Sequence, residues 1–231
     1  MKSKPLKLNV GCGEAKLEGF INIDLAARVK PDLICDITKK SLPYKAGTVD
    51  EIHFLHCIEH IESKHHSKII LEFFRVLKPG GFLILAYPEF EICVTRYLKN
   101  HQGRREFYKD TIFGRQLWPG DFHVCPINSN ELRGLLQAMG FTDTKLVYEE
   151  APNDGYAILS ARKAKLPPNY ANILAKEIFS NESKTRITRK SKRTGTGKIA
   201  HWRSEKVALS HRRKTASGKD AAHAKPWKFG R

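Results

Sequence analysis

The sequence predicts an α/β fold: a mostly parallel seven-stranded sheet with helices on both faces and an antiparallel strand pair at its C-terminal end. Three observations predict it. Short apolar runs alternate with stretches of helical periodicity over residues 6–162, the pattern of strand–crossover–strand units. The run FLILAY at 82–87 is apolar without a break, as suits a strand buried on both faces of a parallel sheet. The last two apolar runs are joined by Pro152-Asn153-Asp154-Gly155, a turn short enough for an antiparallel pair.

Each element follows from local chemistry. Residues 6–10 (LKLNV), 20–24 (FINID) and 32–36 (DLICD) read as three short strands, and 49–55 (VDEIHFL) as a fourth. Pro43 and Gly47 mark a loop between the third and fourth. Over 59–77 the apolar residues Ile61, Ile69, Ile70, Phe73, Phe74, Val76 and Leu77 recur at helical spacing. Pro79-Gly80-Gly81 should stop that helix before the fifth strand at 82–87. Residues 88–109 read as helical in part, and 110–126 (DTIFGRQLWPGDFHVCP) as one long loop, a length that is often functional. A helix at 130–139 has Asn128 or Ser129 to cap it and Gly140 just past its end. Strands at 144–149 and 155–161 complete the seven.

The 231 residues are unevenly charged. Residues 163–231 hold 19 Lys and Arg against 4 Asp and Glu, while the rest of the chain is near neutral. We therefore expect a domain at 1–162 and a basic, largely disordered extension at 163–231. The five cysteines form no CxxC pair, no apolar run is long enough for a bilayer, and the start has no secretory apolar core. A reduced, cytoplasmic protein with no membrane partner is the expectation.

The segment LNVGCGEAKLEGFINID (8–24) has the shape of a nucleotide-type cofactor loop: a strand, a glycine bend and an aspartate ending a second strand. A dinucleotide site would need a third glycine where Lys16 stands and an acidic residue about 20 positions on. Asp24 follows Gly11 too closely for that, and Glu14 would repel a pyrophosphate. A neutral or cationic cofactor fits better. S-adenosylmethionine (SAM) has no phosphate, a ribose with two hydroxyls and a positive sulfonium.

The chain resembles the class I SAM-dependent methyltransferases over most of 6–162. LNVGCG resembles their first motif, GFINIDL the second and DLICDI the third. VDEIHFLHCIEHI is similar to their fourth strand with its helix, and FFRVLKPGGFLIL to the helix-to-fifth-strand segment. The resemblance implies a Rossmann-like core, SAM as cofactor and methyl transfer as activity. It implies that Gly11, Cys12 and Gly13 shape the loop under the methionine part. It also implies that Asp24, with Leu25 beside it, binds the ribose, and that Asp36 and Ile37 face the adenine. Leu55 and His56 would line the floor between cofactor and acceptor. Asn9 stands where the family carries an acidic residue; it keeps an acceptor and loses the charge.

Methyl transfer needs alignment above all, and a base where the acceptor is an alcohol. His56, at the end of the fourth strand, and His123, in the long loop, are the candidate catalytic residues; Tyr87 and Glu89 would also face the pocket. His56 and His60, with His53, His65 and His66 nearby, could suggest a metal. The spacing is not HExxH and no carboxylate is obviously placed, so no metal is expected.

The acceptor is expected to be a small molecule or saccharide-like group, methylated on O or N. The core shows neither an Asn/Asp-Pro-Pro-aromatic motif at Leu55-His56-Cys57-Ile58 nor a lysine at Tyr87-Pro88. The basic extension leaves a second reading open: RNA or another nucleic-acid-bound substrate, or an acidic partner, held through 184–231. A third is a SAM-fold module that binds without catalysis.

Overall fold

The computed structural model of the 231-residue chain describes residues 4–150 and 154–164. Among the described residues seven strands form one sheet: β1 (Lys7–Val10), β2 (Ile21–Asp24), β3 (Leu33–Ile34), β4 (Val49–Leu55), β5 (Leu77–Pro88), β6 (Phe141–Tyr148) and β7 (Tyr156–Lys163). Their order is β3-β2-β1-β4-β5-β7-β6. The first five are parallel, and β7 runs antiparallel to both neighbours. The α/β class, the parallel sheet and the terminal antiparallel pair are as expected. The basic extension expected from 163 onward lies, beyond Ala164, outside the described residues.

Four α-helices, again among the described residues, accompany the sheet: α1 (His66–Val76), α2 (Phe90–Leu98), α3 (Arg105–Phe113) and α4 (Ser129–Ala138). α1 presents Ile69, Ile70, Phe73 and Phe74 to the sheet, where Phe73 packs edge-on against Phe54 of β4. In register with Phe54 stand Leu85 of β5 and then Leu159 of β7, all fully buried. On the same face Tyr87 donates its hydroxyl to Ser129 at the start of α4. The helical cover is thus uneven. α1 and α4 share one face, whereas the connections from β1 to β4 carry, among the described residues, just a 3-10 turn at Ala27–Val29. The opposite face shows the cost of that economy: Phe82 of β5 is partly exposed there, covered by the Arg162 guanidinium.

Three boundaries differ from expectation for identifiable reasons. The helix expected from residue 59 begins at His66, because residues 58–60 and 63–65 form separate 3-10 turns with extended Ile61 between them. The carbonyl of Glu59, which an α-helix would have used, instead accepts the amides of Val124 and Cys125. Pro79-Gly80-Gly81 does not lie outside the fifth strand. β5 starts at Leu77, opposite Val49, and the three residues fall in the irregularity before Glu51 pairs with Phe82. Part of the expected loop is helical, since α3 continues to Phe113. The end of α1 is closed by Lys163 Nζ, which donates to the carbonyls of Phe74 at 2.6 Å and Leu77 at 2.8 Å. Among the described residues no helix is long and apolar enough to cross a membrane.

The α2–α3 hairpin is tied to β7 by one carboxylate. Buried Asp154 meets Arg96 at 2.9 Å and Arg104 at 2.8 Å, and accepts the Tyr108 hydroxyl at 2.7 Å. Asp154→Ala removes the shared counter-charge of two partly buried guanidinium groups. It should destabilise the chain by about 3 kcal/mol, read as a lowered denaturant midpoint at unchanged slope.

Candidate active site

β1 lies in the middle of the parallel strands, with β2 on one side and β4 on the other. The chain leaves β1 and β4 in opposite directions, which opens a crevice at their carboxyl ends.

On the β1 side the bend is made by Gly11 (φ 66°) and Gly13 (φ 50°), both in the left-handed region. Gly11 also has no room for a side chain: a Cβ there would stand 2.3 Å from Cys57 Sγ. The Gly13 amide donates to Asp24 Oδ2 at 2.8 Å, and the Ala26 amide to Oδ1 at 2.8 Å. The bend and the end of β2 are therefore one unit. Cys12 is buried, and its thiol is pushed up to about 11 by burial and by Asp24, so it is no nucleophile. Leu25 is 67% exposed. Asp36 Oδ1 accepts from the amide and hydroxyl of Thr38, while Oδ2 pairs with Lys39. Bonding to Lys39 and Thr38 holds its carboxyl down to about 2. Ile37 packs, partly buried, against the core.

Asn9 has a different place from a ligand contact at the surface. It is buried, and its Nδ2 donates to Ala15 O at 3.0 Å and Asn22 Oδ1 at 2.9 Å. Asn22 in turn donates to Asp32 and accepts the Leu17 amide. This network shapes the helix-free 11–20 loop. It needs a donor at position 9, which a carboxylate would not supply.

On the β4 side, Leu55 ends the strand and His56 turns left-handed (φ 49°), a conformation uncommon outside glycine and asparagine. The His56 ring meets Tyr156 edge-on, with centroids 5.0 Å apart. Its Nδ1 lies 3.8 Å from Glu59 Oε1. The side chain keeps 41% of its surface open, yet its ring is flanked by protein on the inner side. Desolvation, helped by nearby His123 and His60, lowers its pKa to about 4.

Residues 114–126 form the roof. The loop is pinned to the 58–60 turn by the Val124 and Cys125 amides on Glu59 O, and by His60 Nδ1 donating to Phe122 O at 3.0 Å. On the other side the Arg28 guanidinium stacks 5.1 Å from the Trp118 ring. His123 lies under this roof and donates from Nδ1 to Thr111 O at 2.8 Å. Burial and His60 lower its pKa to about 4. His123, Glu59, Thr111, Pro88 and Phe90 line a small cavity.

Sequence reasoning passed over Glu59, Tyr156 and Thr111. Glu59 is 2% exposed, its Oε2 has no hydrogen-bond partner, and burial pushes its pKa up to about 8. One ligand-type atom from each of Glu59, His60 and His123 lies within 4.8 Å of the others. The signal was present in Glu59-His60 following a strand end, but its meaning needed His123, 63 positions further on. Two expected pocket residues lie elsewhere. Tyr87 points into the core, with its hydroxyl raised to about 12 by burial, and Glu89 caps α4 through Ser129. Alternation along β5 sends Tyr87 to the face of Leu83 and Leu85, away from the crevice. His53 pairs with Glu51 and His66 with Ile61 O, so neither joins the cluster.

Glu59 makes stability depend on pH. Its carboxyl holds a proton up to about pH 8 when folded and up to about 4.5 when the chain is unfolded. The folded state thus binds more protons in that window, and stability falls as pH rises through it. With a chelator present, Glu59→Gln should melt higher than the parent chain above about pH 8 and nearly with it near pH 5. The gap should be on the order of a few kcal/mol. Equal melting at both pH values would show that the carboxyl finds a partner.

The family model described as "Methyltransferase domain" matches residues 11–146. Among solved structures, a SAM-dependent methyltransferase from Archaeoglobus fulgidus aligns with a TM-score of 0.51 at 14% identity, covering 69% of this chain and 86% of that one. Another, from Methanosarcina mazei, aligns with a TM-score of 0.51 at 20% identity over 71% and 94%. A curated relative, the probable methyltransferase PMT28 of Arabidopsis thaliana, is 36% identical over 56 residues. That stretch is 24% of this chain and 8% of the plant protein's length. The glycine bend, its aspartate and the sheet order accord with the family match: the chain belongs to the methyltransferase-domain family.

Proposed function

We propose that this protein transfers the methyl group of SAM to a hydroxyl of a small or saccharide-like acceptor held between His56 and His123. One observation carries the reading. The glycine bend with its Asp24 bridge packs at Gly11 against Cys57, in the same turn as His56 and buried Glu59.

The crevice suits SAM. Gly11 and Gly13 offer bare backbone for close approach by the methionine part. Asp24 spends one hydrogen bond per oxygen on the Gly13 and Ala26 amides, which leaves acceptor sites for two ribose hydroxyls. The Asp36–Lys39 pair is on the surface and yields to an adenine contact at little cost. Bound SAM supplies a methyl group already activated by its sulfonium.

The chain's part is to orient the acceptor, receive its proton and exclude water. His56 and His123 are neutral at pH 7 and Glu59 is mostly protonated. Such a pocket carries little net charge, which favours an uncharged hydroxyl over an ammonium. His123 donates from Nδ1 to Thr111 O, so its ring is fixed and its Nε2 lone pair stays available on the acceptor side. His56, at the floor beside the glycine bend, receives the proton. The roof loop keeps water from competing.

The charge of 184–231, outside the described residues, supports a second reading in which the acceptor is carried on RNA. Full-length protein should then bind RNA in a steeply salt-dependent way and residues 1–165 should not; equal binding by both ends that reading.

Calorimetry on the full chain should show one site for SAM and for S-adenosylhomocysteine. Binding of neither would favour the non-catalytic module. Asp24→Ala should weaken SAM by about 10- to 100-fold. Gly11→Ala should abolish binding, because its Cβ collides with Cys57. His123→Ala should leave SAM affinity intact and lower kcat/KM on the acceptor by about 100-fold. Labelled methyl transfer into fractionated metabolites, with the product oxygen- or nitrogen-linked, identifies the acceptor class.

A further inference from the structure

We infer that Glu59, His60 and His123 form a binding site for one divalent first-row transition-metal ion, positioned to hold the acceptor's oxygen. The donor set is two imidazoles and one carboxylate. That set is used for catalytic Zn²⁺ and, with open positions, for Fe²⁺-type centres; Mg²⁺ and Ca²⁺ prefer oxygen ligands throughout.

Four features point to an ion over a plain hydrogen-bond network. First, the three ligand-type atoms lie within 4.8 Å of one another although the residues come from two distant segments. Ligands bound at about 2.1 Å around a tetrahedral ion stand roughly 3.4 Å apart. Second, both histidines have one nitrogen assigned by a backbone carbonyl: His60 Nδ1 donates to Phe122 O and His123 Nδ1 to Thr111 O. Those bonds select the tautomer with a lone pair on Nε2, the usual outer support of a metal-binding imidazole. Third, Glu59 is 2% exposed and its Oε2 has no partner. A buried carboxylate oxygen without a partner carries a desolvation penalty that a bound cation would relieve. Fourth, the two segments are fastened together at the site itself, by the Val124 and Cys125 amides on Glu59 O and by the edge-on packing of His60 on His123, with centroids 4.7 Å apart. The two segments are thus joined by backbone bonds that do not involve the ligating atoms, and by the packing of the two rings.

Three protein ligands leave at least one position open toward the crevice, where His56 Nδ1 stands 3.8 Å from Glu59 Oε1. The ion's role in methyl transfer rests on the function proposed above. A cation at this position lowers the pKa of an acceptor hydroxyl. The hydroxyl proton passes to His56, the oxygen forms its bond to the methyl carbon, and the electron pair of the broken carbon–sulfur bond stays on sulfur, leaving S-adenosylhomocysteine. No oxidant or reductant is needed.

The test uses full-length protein stripped with a chelator and dialysed. Zn²⁺ and Mn²⁺ are titrated calorimetrically, and Co²⁺ by visible absorption, with SAM affinity measured on the metal-free chain. We expect one equivalent of metal per chain. Glu59→Gln and His123→Ala should each weaken it by at least about 10- to 100-fold. His65→Ala, outside the cluster, should bind as the parent does, and Co²⁺ bands should disappear in Glu59→Gln. Because glutamine is isosteric, Glu59→Gln decides the matter should His123→Ala fail to fold. Absence of stoichiometric binding, or binding of equal strength in Glu59→Gln, overturns the site. Metal bound as expected, with SAM bound but turnover unaffected by chelation, overturns the catalytic role and leaves the site. Loss of SAM binding with the metal site intact overturns the proposed function alone.

Discussion

The site depends on the adjacency of β1 and β4. Because β1 pairs with β2 on one edge and β4 on the other, the chain leaving β1 and the chain leaving β4 emerge side by side. Gly11 is where they touch, and its missing side chain is what lets Cys57 fit against it. A Cβ at Gly11 would push apart the glycine bend and the 56–60 segment, the two parts proposed to meet cofactor and acceptor. Asp24 then fixes the bend to β2 through the Gly13 amide, so one short contact region sets the bend, Asp24 and the 56–60 segment relative to one another.

The segment proposed to face the acceptor is built from local departures that a stable fold would otherwise avoid. His56 takes a left-handed conformation, residues 58–65 abandon the α-helix their apolar spacing favours, and Glu59 is buried with an unpartnered oxygen. The first of these carries a strain of about 1 kcal/mol or more. They are held in place by the 114–126 loop, whose Gly114 (φ 76°) packs so closely on Asp121 that a Cβ would stand 1.8 Å from its carbonyl oxygen. The departures cluster where the chemistry is proposed, which is where local rules give way to function.

Other buried polar groups serve the framework. The Asn9–Asn22–Asp32 network organises a loop that replaces a helix, and Asp154 serves two arginines and a tyrosine at the base of the α2–α3 hairpin. Against that background the Glu59 carboxyl differs from Glu89 and Asp154: it is buried beside two imidazoles, and its Oε2, like that of Glu149, has no partner.

By itself the sequence determined the strand order of appearance, the glycine bend and Asp24. These rest on short-range chemistry: apolar runs of strand length, glycines free to take positive φ, and an aspartate one strand away. It also marked His56 and His123 as candidates, and the Asn128 cap, whose side chain accepts the amides of Asn130 and Glu131, is such a local signal too. Tertiary structure alone decided that Tyr87 and Glu89 serve the core and α4. It decided that Asn9 donates inward, and that Glu59, His60 and His123 share one space. Those outcomes turn on which face of β5 a residue occupies and on a loop folding back across more than 60 positions. Neither leaves a periodicity in the chain, because the distances that matter there are set by the assembled sheet and not by spacing along the backbone.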